Sequence, residues 1–408
     1  MGKRVFINSI SAFLPNEKVS NAEMEDIIRK ISGKKSRAKS VILRSNGIKS
    51  RYYAIDKNTG EFNYTNAALA ANAVKGLFKH EDELNNIDCL VASTSMADQI
   101  MPNHAVMVHG ELKNPPCEVV STAGICLCGL TALKYAFLNI KAGESHRSVV
   151  VASELASSIM RSDRFEAESE YKLAQLDQKP EIAFEKDFLR WMLSDGAGSA
   201  LLSNEPNVNK LSLEIEWIET LSFADEMEPC MYAGADKIEG NLQGWMRFND
   251  DERSQQSIMS VKQDVKILNK NIVSITVEKA LTKIMAKRAI KPEDFTYFLP
   301  HYSSTYFREK LFDGLENIGF SIPYEKWFTN LTEKGNTGSA SIFIMLEELF
   351  NSESLKKGDR IVCYIPESGR FSSAEGSLKP CSTKVDLRLR SALYIARTWG
   401  SETCDSSM

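Results

Sequence analysis

Apolar residues along this chain fall into short runs closed by polar turns, with stretches of helical spacing between them. IDCLVAST (87–94), VVVASE (149–154), FTYFLPHY (295–302) and IVCYIPE (361–367) are four such runs, each ending on polar residues. Their length and punctuation predict strands buried on both faces, as in parallel sheets. Leu130, Leu133, Phe137 and Ile140 share one helical face, as do Ile342, Met345 and Leu349. The stretches TNAALAANAVKGLF (65–78) and VEKALTKIMAKRAI (277–290) predict further helices.

The order of these elements repeats once. Helix 65–78 leads through a polar spacer to the run at 87–94, and helix 277–290 leads through KPED to the run at 295–302. GICLCGLTAL (124–133) opens a helix, KAGE (141–144) ends it, and VVVASE follows. KGNTGSAS (334–341), KKGD (356–359) and IVCYIPE repeat that unit. Ser93 to Cys126 is 33 positions and His301 to Asn336 is 35, so spacing agrees as well as order. Two similar halves predict a pseudo-symmetric α/β architecture joined near SNEPNVNK (203–210). The division is residues 1–205, residues 206–380 and a tail, 381–408, in which Val385 to Trp399 has the pattern of a basic amphipathic helix. Ligands of such sheets gather beyond the carboxyl ends of the strands. Cys126, Glu154, His301, Asn336 and Gly369 are therefore expected to converge.

Composition narrows the classes. A chain of 408 residues with 43% hydrophobic and 25% charged positions can bury a large core without a metal or disulfide staple. A formal net charge of −4 argues against nucleic-acid binding, which needs a basic face. No apolar run has membrane-spanning length, and MGKRVFINSI lacks the apolar stretch of a signal peptide. The eight cysteines form no CxxC pair and the five histidines do not cluster near them, which excludes the usual zinc patterns. The expectation is a cytoplasmic protein with no metal, no cofactor and no membrane partner.

Cys126 lies among small residues where a helix should begin. A helix N-terminus stabilises a thiolate through its dipole and free N–H groups, so Cys126 is a candidate nucleophile with a lowered thiol pKa. The competing reading of any such cysteine is packing, and that reading is assigned to Cys128. His301 follows a proline at a strand end, where it is either a structural histidine or a hydrogen-bond donor to a ligand. With Asn336 in GNTG it could polarise a thioester carbonyl and stabilise an enolate. Gly369 is either a turn glycine or, with the N–H of Cys126, half of an oxyanion hole. Glu154 closes an apolar strand and is either a base with a raised pKa or half of a salt bridge.

Together these segments resemble the ketoacyl synthase III branch of the thiolase superfamily. The nucleophile motif matches Gly124-Ile125-Cys126, the catalytic histidine Pro300-His301, and the glycine-asparagine-threonine motif Gly335-Asn336-Thr337. Asp195-Gly196-Ala197-Gly198 and ILRSNGIKSR (42–51) match further family segments, and the likeness runs over residues 3–378. It implies a five-layer αβαβα thiolase fold, a homodimer and substrates that are acyl thioesters of acyl carrier protein or CoA. Three departures stand out: Cys128 where a small residue is usual, Ser368-Gly369-Arg370 in place of three glycines, and a long charged stretch from Met160 to Trp191.

The resemblance also narrows the chemistry. No second cysteine occurs in ESGRFSS (367–373) and no glutamate in STSMADQ (93–99), unlike biosynthetic thiolases and hydroxymethylglutaryl-CoA synthases. FLRWMLSDGAG (188–198), LRSNGIKSRYY (43–53), FLPHYSS (298–304) and PESGRF (366–371) look most like the dialkylresorcinol-forming ketosynthases and their stilbene-pathway relatives. Those enzymes join a β-ketoacyl thioester to a second acyl thioester and close the ring to a cyclohexanedione. The resemblance makes Glu154 a cyclisation base, Arg44, Lys49 and Arg51 a positive mouth for the carrier, and Phe188, Trp191 and Met192 an acyl tunnel. Ordinary solvated surface and core packing are the competing readings of these two groups. Two rival functions remain: a chain-initiating synthase that decarboxylates malonyl carrier protein, and a catalytically silent subunit of a heterodimeric condensing complex.

Overall fold

The computed structural model describes residues 3–33, 36, 39–164 and 189–382. Phe188 and the expected helix at Val385 to Trp399 lie outside the described residues. The first half supplies β1 (Phe6–Phe13), β2 (Cys89–Thr94), β3 (Glu118–Ala123), β4 (Arg147–Glu154) and β5 (Gly196–Ser203). The second supplies β6 (Leu211–Ser222), β7 (Tyr297–Pro300), β8 (Ile361–Glu367) and β9 (Ser372–Ser382). Their order across one continuous sheet is β7-β8-β9-β6-β1-β5-β4-β2-β3. The pairs β2/β3, β2/β4 and β7/β8 are parallel, and the other neighbours are antiparallel.

Read outward from the β1/β6 junction, the two wings run β1-β5-β4-β2-β3 and β6-β9-β8-β7. The four apolar runs that define the repeat thus occupy equivalent places, β2 with β7 and β4 with β8. Where the second wing would carry the counterpart of β3, one parallel bridge pairs Phe298 with Trp327. Among the described residues the wings touch edge to edge through two register pairs, Phe6 with Glu214 and Ile7 with Leu213, extended by the Ile215 N–H to the Val5 carbonyl at 2.9 Å.

Six helices complete the layers: α1 (Asn66–Lys75), α2 (His104–Leu112), α3 (Cys128–Ala142), α4 (Val265–Val273), α5 (Tyr306–Asn317) and α6 (Ser341–Asn351). Apolar side chains of α3 and α6, including Leu133, Phe137, Ile342 and Phe343, share a core with Val150 of β4 and Cys363 of β8. Alternation along β4 turns Val149 and Val151 the other way, onto α1 and α2. On the far side, Leu268, Ile272, Phe307 and Leu311 of α4 and α5 cover Val362 and Tyr364 of β8. The result is helices, wing, central helices, wing, helices, the five layers expected of a thiolase fold.

Local chemistry sets the helix ends. Thr65 caps α1 by accepting the Ala68 N–H at 3.1 Å. Gly143 ends α3 at φ 94°, in the left-handed region where glycine carries no steric penalty. The helix expected over 277–290 is interrupted: Ser274–Lys279 forms a wider π turn before Ala280–Arg288 resumes the α geometry. Thr276 in that turn bonds back to the Ile272 carbonyl and meets the Tyr364 hydroxyl at 2.6 Å. Among the described residues no helix is long and apolar enough to cross a membrane.

Candidate active site

The turn after β3 carries Cys126, two residues ahead of the first residue of α3. Cys128 opens the helix, is buried, and directs its thiol onto the Ile125 carbonyl at 3.0 Å. Cys126 is half-buried. Its thiol does not show the lowered pKa that a helix start suggests. Burial pushes it well up, and the nearby carboxylates of Glu367 and then Glu154 push it further. The resting group is a thiol, so deprotonation must accompany the attack.

His301 follows β7 directly, its N–H held by the Tyr364 carbonyl at 2.8 Å. Burial lowers its pKa to about 4, so the imidazole is neutral near pH 7. A neutral ring can accept a thiol proton through one nitrogen or donate to a carbonyl oxygen through the other. Asn336 lies in the turn before α6. Its N–H donates to the Met192 carbonyl at 3.0 Å, and its carbonyl accepts the Ser194 N–H at 2.9 Å. The side-chain Oδ1 accepts the Gly338 N–H at 3.0 Å, which leaves the amide NH2 to donate.

Glu154, the last residue of β4, is buried. Its carboxylate takes the N–H and hydroxyl of Ser95, at 3.1 and 2.5 Å, and those of Ser339, also at 3.1 and 2.5 Å. Desolvation raises its pKa while these donors pull it back. Gly338 makes room for this arrangement: at φ 53°, a Cβ there would lie 3.0 Å from the Glu154 side chain.

Cys126, Glu154, His301 and Asn336 all line one cavity of about 340 Å³. Much of its wall is apolar, with Met192, Leu268, Ile272, Phe307 and Leu311 among the lining residues. Of the residues expected to form a tunnel, Met192 is on this wall. Trp191 is not: it is fully buried in the core, beneath the cations of Lys39 and Arg190. Gly369 stands beside the nucleophile turn, where a Cβ would come within 3.0 Å of the Ile125 side chain. Its neighbour Ser368 lines the cavity.

Arg44 and Lys49 are exposed, but Arg51 is not. Its guanidinium is buried against the Asn21 Oδ1 at 2.7 Å and the Trp191 carbonyl at 3.0 Å, so it offers no charge to a carrier. Three polar groups escaped sequence reasoning: Ser95, Ser339 and Glu367. The Glu367 Oε2 accepts the N–H groups of Ile125 at 3.0 Å and Leu127 at 3.1 Å. Its one sequence signal is that it ends IVCYIPE as Glu154 ends VVVASE.

Known proteins share this arrangement of elements. Residues 285–365 match the family 3-oxoacyl-[acyl-carrier-protein (ACP)] synthase III C terminal. Beta-ketoacyl-[acyl-carrier-protein] synthase III of Hyphomonas neptunium is 23% identical over 363 residues, covering 89% of this chain and 95% of that protein. The Clostridium perfringens protein of the same name is 24% identical over 319 residues, covering 78% and 83%. Among solved structures, AbyA1, a tetronic acid condensing enzyme, superposes with TM-score 0.69 at 17% identity over 92% of this chain and 99% of its own. OleA of Xanthomonas campestris, solved with lauric acid and lauroyl-CoA, gives 0.67 at 18% identity over 93% and 100%. Fold, motifs and these matches together show an acyl-transferring condensing enzyme with the thiolase fold, similar over most of its length to the ketoacyl synthase III proteins.

Proposed function

We propose that the protein joins a β-ketoacyl thioester to a second acyl thioester through an acyl-Cys126 intermediate and then closes the product to a cyclohexanedione of the dialkylresorcinol type. One observation carries this reading: a fourth polar group, the Glu154 carboxylate, lines the same apolar-walled cavity as Cys126, His301 and Asn336. A condensation alone needs the first three; the ring-closing step needs a further base.

The steps balance as follows. The Cys126 sulfur attacks the carbonyl carbon of the first thioester, and its proton passes through neutral His301 to the departing carrier thiol. The N–H groups of Cys126 and Gly369 hold the oxyanion; losing one such donor typically costs ~3 kcal/mol. The second thioester enters with its carbonyl hydrogen-bonded by His301 and Asn336, which lowers the barrier to losing an α-proton; that proton ends on the Cys126 sulfur released in the next step. The resulting carbanion attacks the acyl carbon, forming the C–C bond and releasing the Cys126 sulfur. A β-ketoacyl donor is acidic enough at that carbon to need no decarboxylation. Glu154 then takes a proton from the γ-carbon of the β-ketoacyl unit; with an α,β-unsaturated acyl partner that carbon adds to the far end of the double bond, which closes the six-membered ring with no leaving group, and the proton returns to the resulting enolate.

Acyl carrier protein or CoA delivers both thioesters, and the exposed side chains of Arg44 and Lys49 support their part as the carrier's positive contacts. Homodimerisation is part of the reading. β3 is the outermost strand and its side chains stay half-exposed, an edge that a second copy would cover. Chain initiation from malonyl carrier protein is the second reading, favoured by the names of the relatives in Hyphomonas and Clostridium. Purified protein supplied with either malonyl or β-ketoacyl thioesters beside an acyl donor distinguishes them by product mass. A cyclic product without loss of CO2 supports the first reading; a linear product formed only with malonyl thioester overturns it.

A further inference from the structure

Glu154 and Glu367 hold equivalent places in the two halves, as the last residues of β4 and β8. Each reaches across to the opposite half, to the turn that opens a central helix. Glu154 accepts the N–H and hydroxyl of Ser339, just ahead of α6. Glu367 accepts the N–H groups of Ile125 and Leu127, just ahead of α3. A carboxylate is favoured at both places because the first N–H groups of a helix have no partner within it and its N-terminal end is positive. The two contacts are the same device used twice, and only the second brackets the nucleophile.

We propose that Glu367 is a positioning residue for Cys126: by binding the Ile125 and Leu127 N–H groups with one oxygen, it fixes the 124–125 and 126–127 peptide planes and so the turn that directs the thiol and, between them, the Cys126 N–H. The wall behind the turn agrees with this. Gly369 approaches the Ile125 side chain closely, so the turn is held by β8 and the loop after it from two sides. The carboxylate has a second effect. Its charge lies close enough to add to the effect of burial in opposing ionisation of Cys126. Glu367 does not line the cavity and takes no proton from substrate.

This rests on Cys126 being the acylated residue, and the test separates the two claims. Glu367→Ala removes both hydrogen bonds, whereas Glu367→Gln keeps a carbonyl oxygen able to accept both while removing the charge. Single-turnover acylation of Cys126, followed by intact mass, should slow roughly ten- to a hundredfold in Glu367→Ala with little change in apparent donor affinity, and only a few-fold in Glu367→Gln. The pH midpoint for iodoacetamide alkylation of Cys126, located by peptide mapping, should fall by about one pH unit in Glu367→Gln. If Glu367→Ala does not fold, the alkylation midpoint of Glu367→Gln decides alone. Acylation of Glu367→Ala within twofold of wild type, or an unmoved midpoint in Glu367→Gln, overturns the proposal. A wild-type protein that takes no acyl group at Cys126 overturns the proposed function instead, and leaves the alkylation test standing.

Discussion

Replacing Glu154 by glutamine separates its two roles, because the structure assigns them different magnitudes. The carboxylate holds four donors, two from Ser95 and two from Ser339. An amide oxygen at the Oε1 position keeps both Ser339 contacts and the Ser95 N–H. The new NH2 group then faces the Ser95 hydroxyl, which can rotate to accept. What is lost is the charge assistance, about 1–2 kcal/mol, so the melting temperature should fall by only a few degrees, about 2–4 °C per kcal/mol for domains somewhat smaller than this one. Loss of a general base has a larger effect, typically 10²–10⁴ in rate. The variant should therefore acylate Cys126 at close to the wild-type rate, condense, and release or accumulate a linear diketo product. Intact mass of the acyl-enzyme and chromatographic mass analysis of the product read the two stages independently. Ring closure at the wild-type rate in Glu154→Gln would refute the role of base. Equal loss of acylation and cyclisation would refute it as well, and would make Glu154 a brace for the cavity wall.

Four further outcomes are expected. Asn336→Ala should leave acyl-Cys126 formation intact while condensation falls roughly 10²–10³-fold, read by chasing the acyl-enzyme with the second thioester. Glu375 is fully buried in β9 and holds its proton up to about pH 8, through burial. A carboxyl whose folded pKa is raised contributes stability that is present in acid and lost as pH rises through that value. Glu375→Gln should thus gain stability over wild type at pH 9, by up to about 5 kcal/mol, with the gain vanishing below pH 4; equal unfolding midpoints at pH 9 would refute this. Arg51→Met should unfold at lower denaturant concentration without altering apparent carrier affinity, whereas Arg44→Glu with Lys49→Glu should weaken the apparent affinity for carrier-bound donors several-fold and leave stability unchanged.

The strands and the residues that end them were legible because the signal is local. Four apolar runs of strand length, each closed by a polar residue, are visible in a dozen letters, and the sheet rule brings their ends together. Arg51 failed for the opposite reason. Its neighbours are polar and its own segment reads as surface, while its burial depends on Asn21 and Trp191, which lie 30 and 140 positions away. The tunnel wall failed because lining and core use the same apolar side chains. Met192 and Trp191 are adjacent, and only the packing around them decides which faces the cavity. For the Cys126 thiol the local argument, the helix start, is outweighed by burial first and then by two carboxylates that arrive from other strands.

Those two carboxylates show why a duplicated fold can hold such a site. In each half a strand ends on glutamate, and a helix begins where the other half's glutamate arrives. A carboxylate crossing from one half to the other satisfies helix N–H groups that would otherwise be buried without partners. The edge contact between the two wings is narrow, two register pairs of β1 with β6. Registration between the halves at the cavity therefore depends on the shared α3/α6 core, on the backbone bonds of Asn336 to Met192 and Ser194, and on the two glutamate clamps. From this symmetric frame chemistry takes asymmetric use. One clamp lies in the cavity wall, where its proton affinity is raised and it can serve a second reaction. The other stands behind the sulfur, where the same charge restrains ionisation and the same hydrogen bonds set direction. The asymmetry comes from what occupies the turn, a serine on one side and a cysteine between two N–H groups on the other.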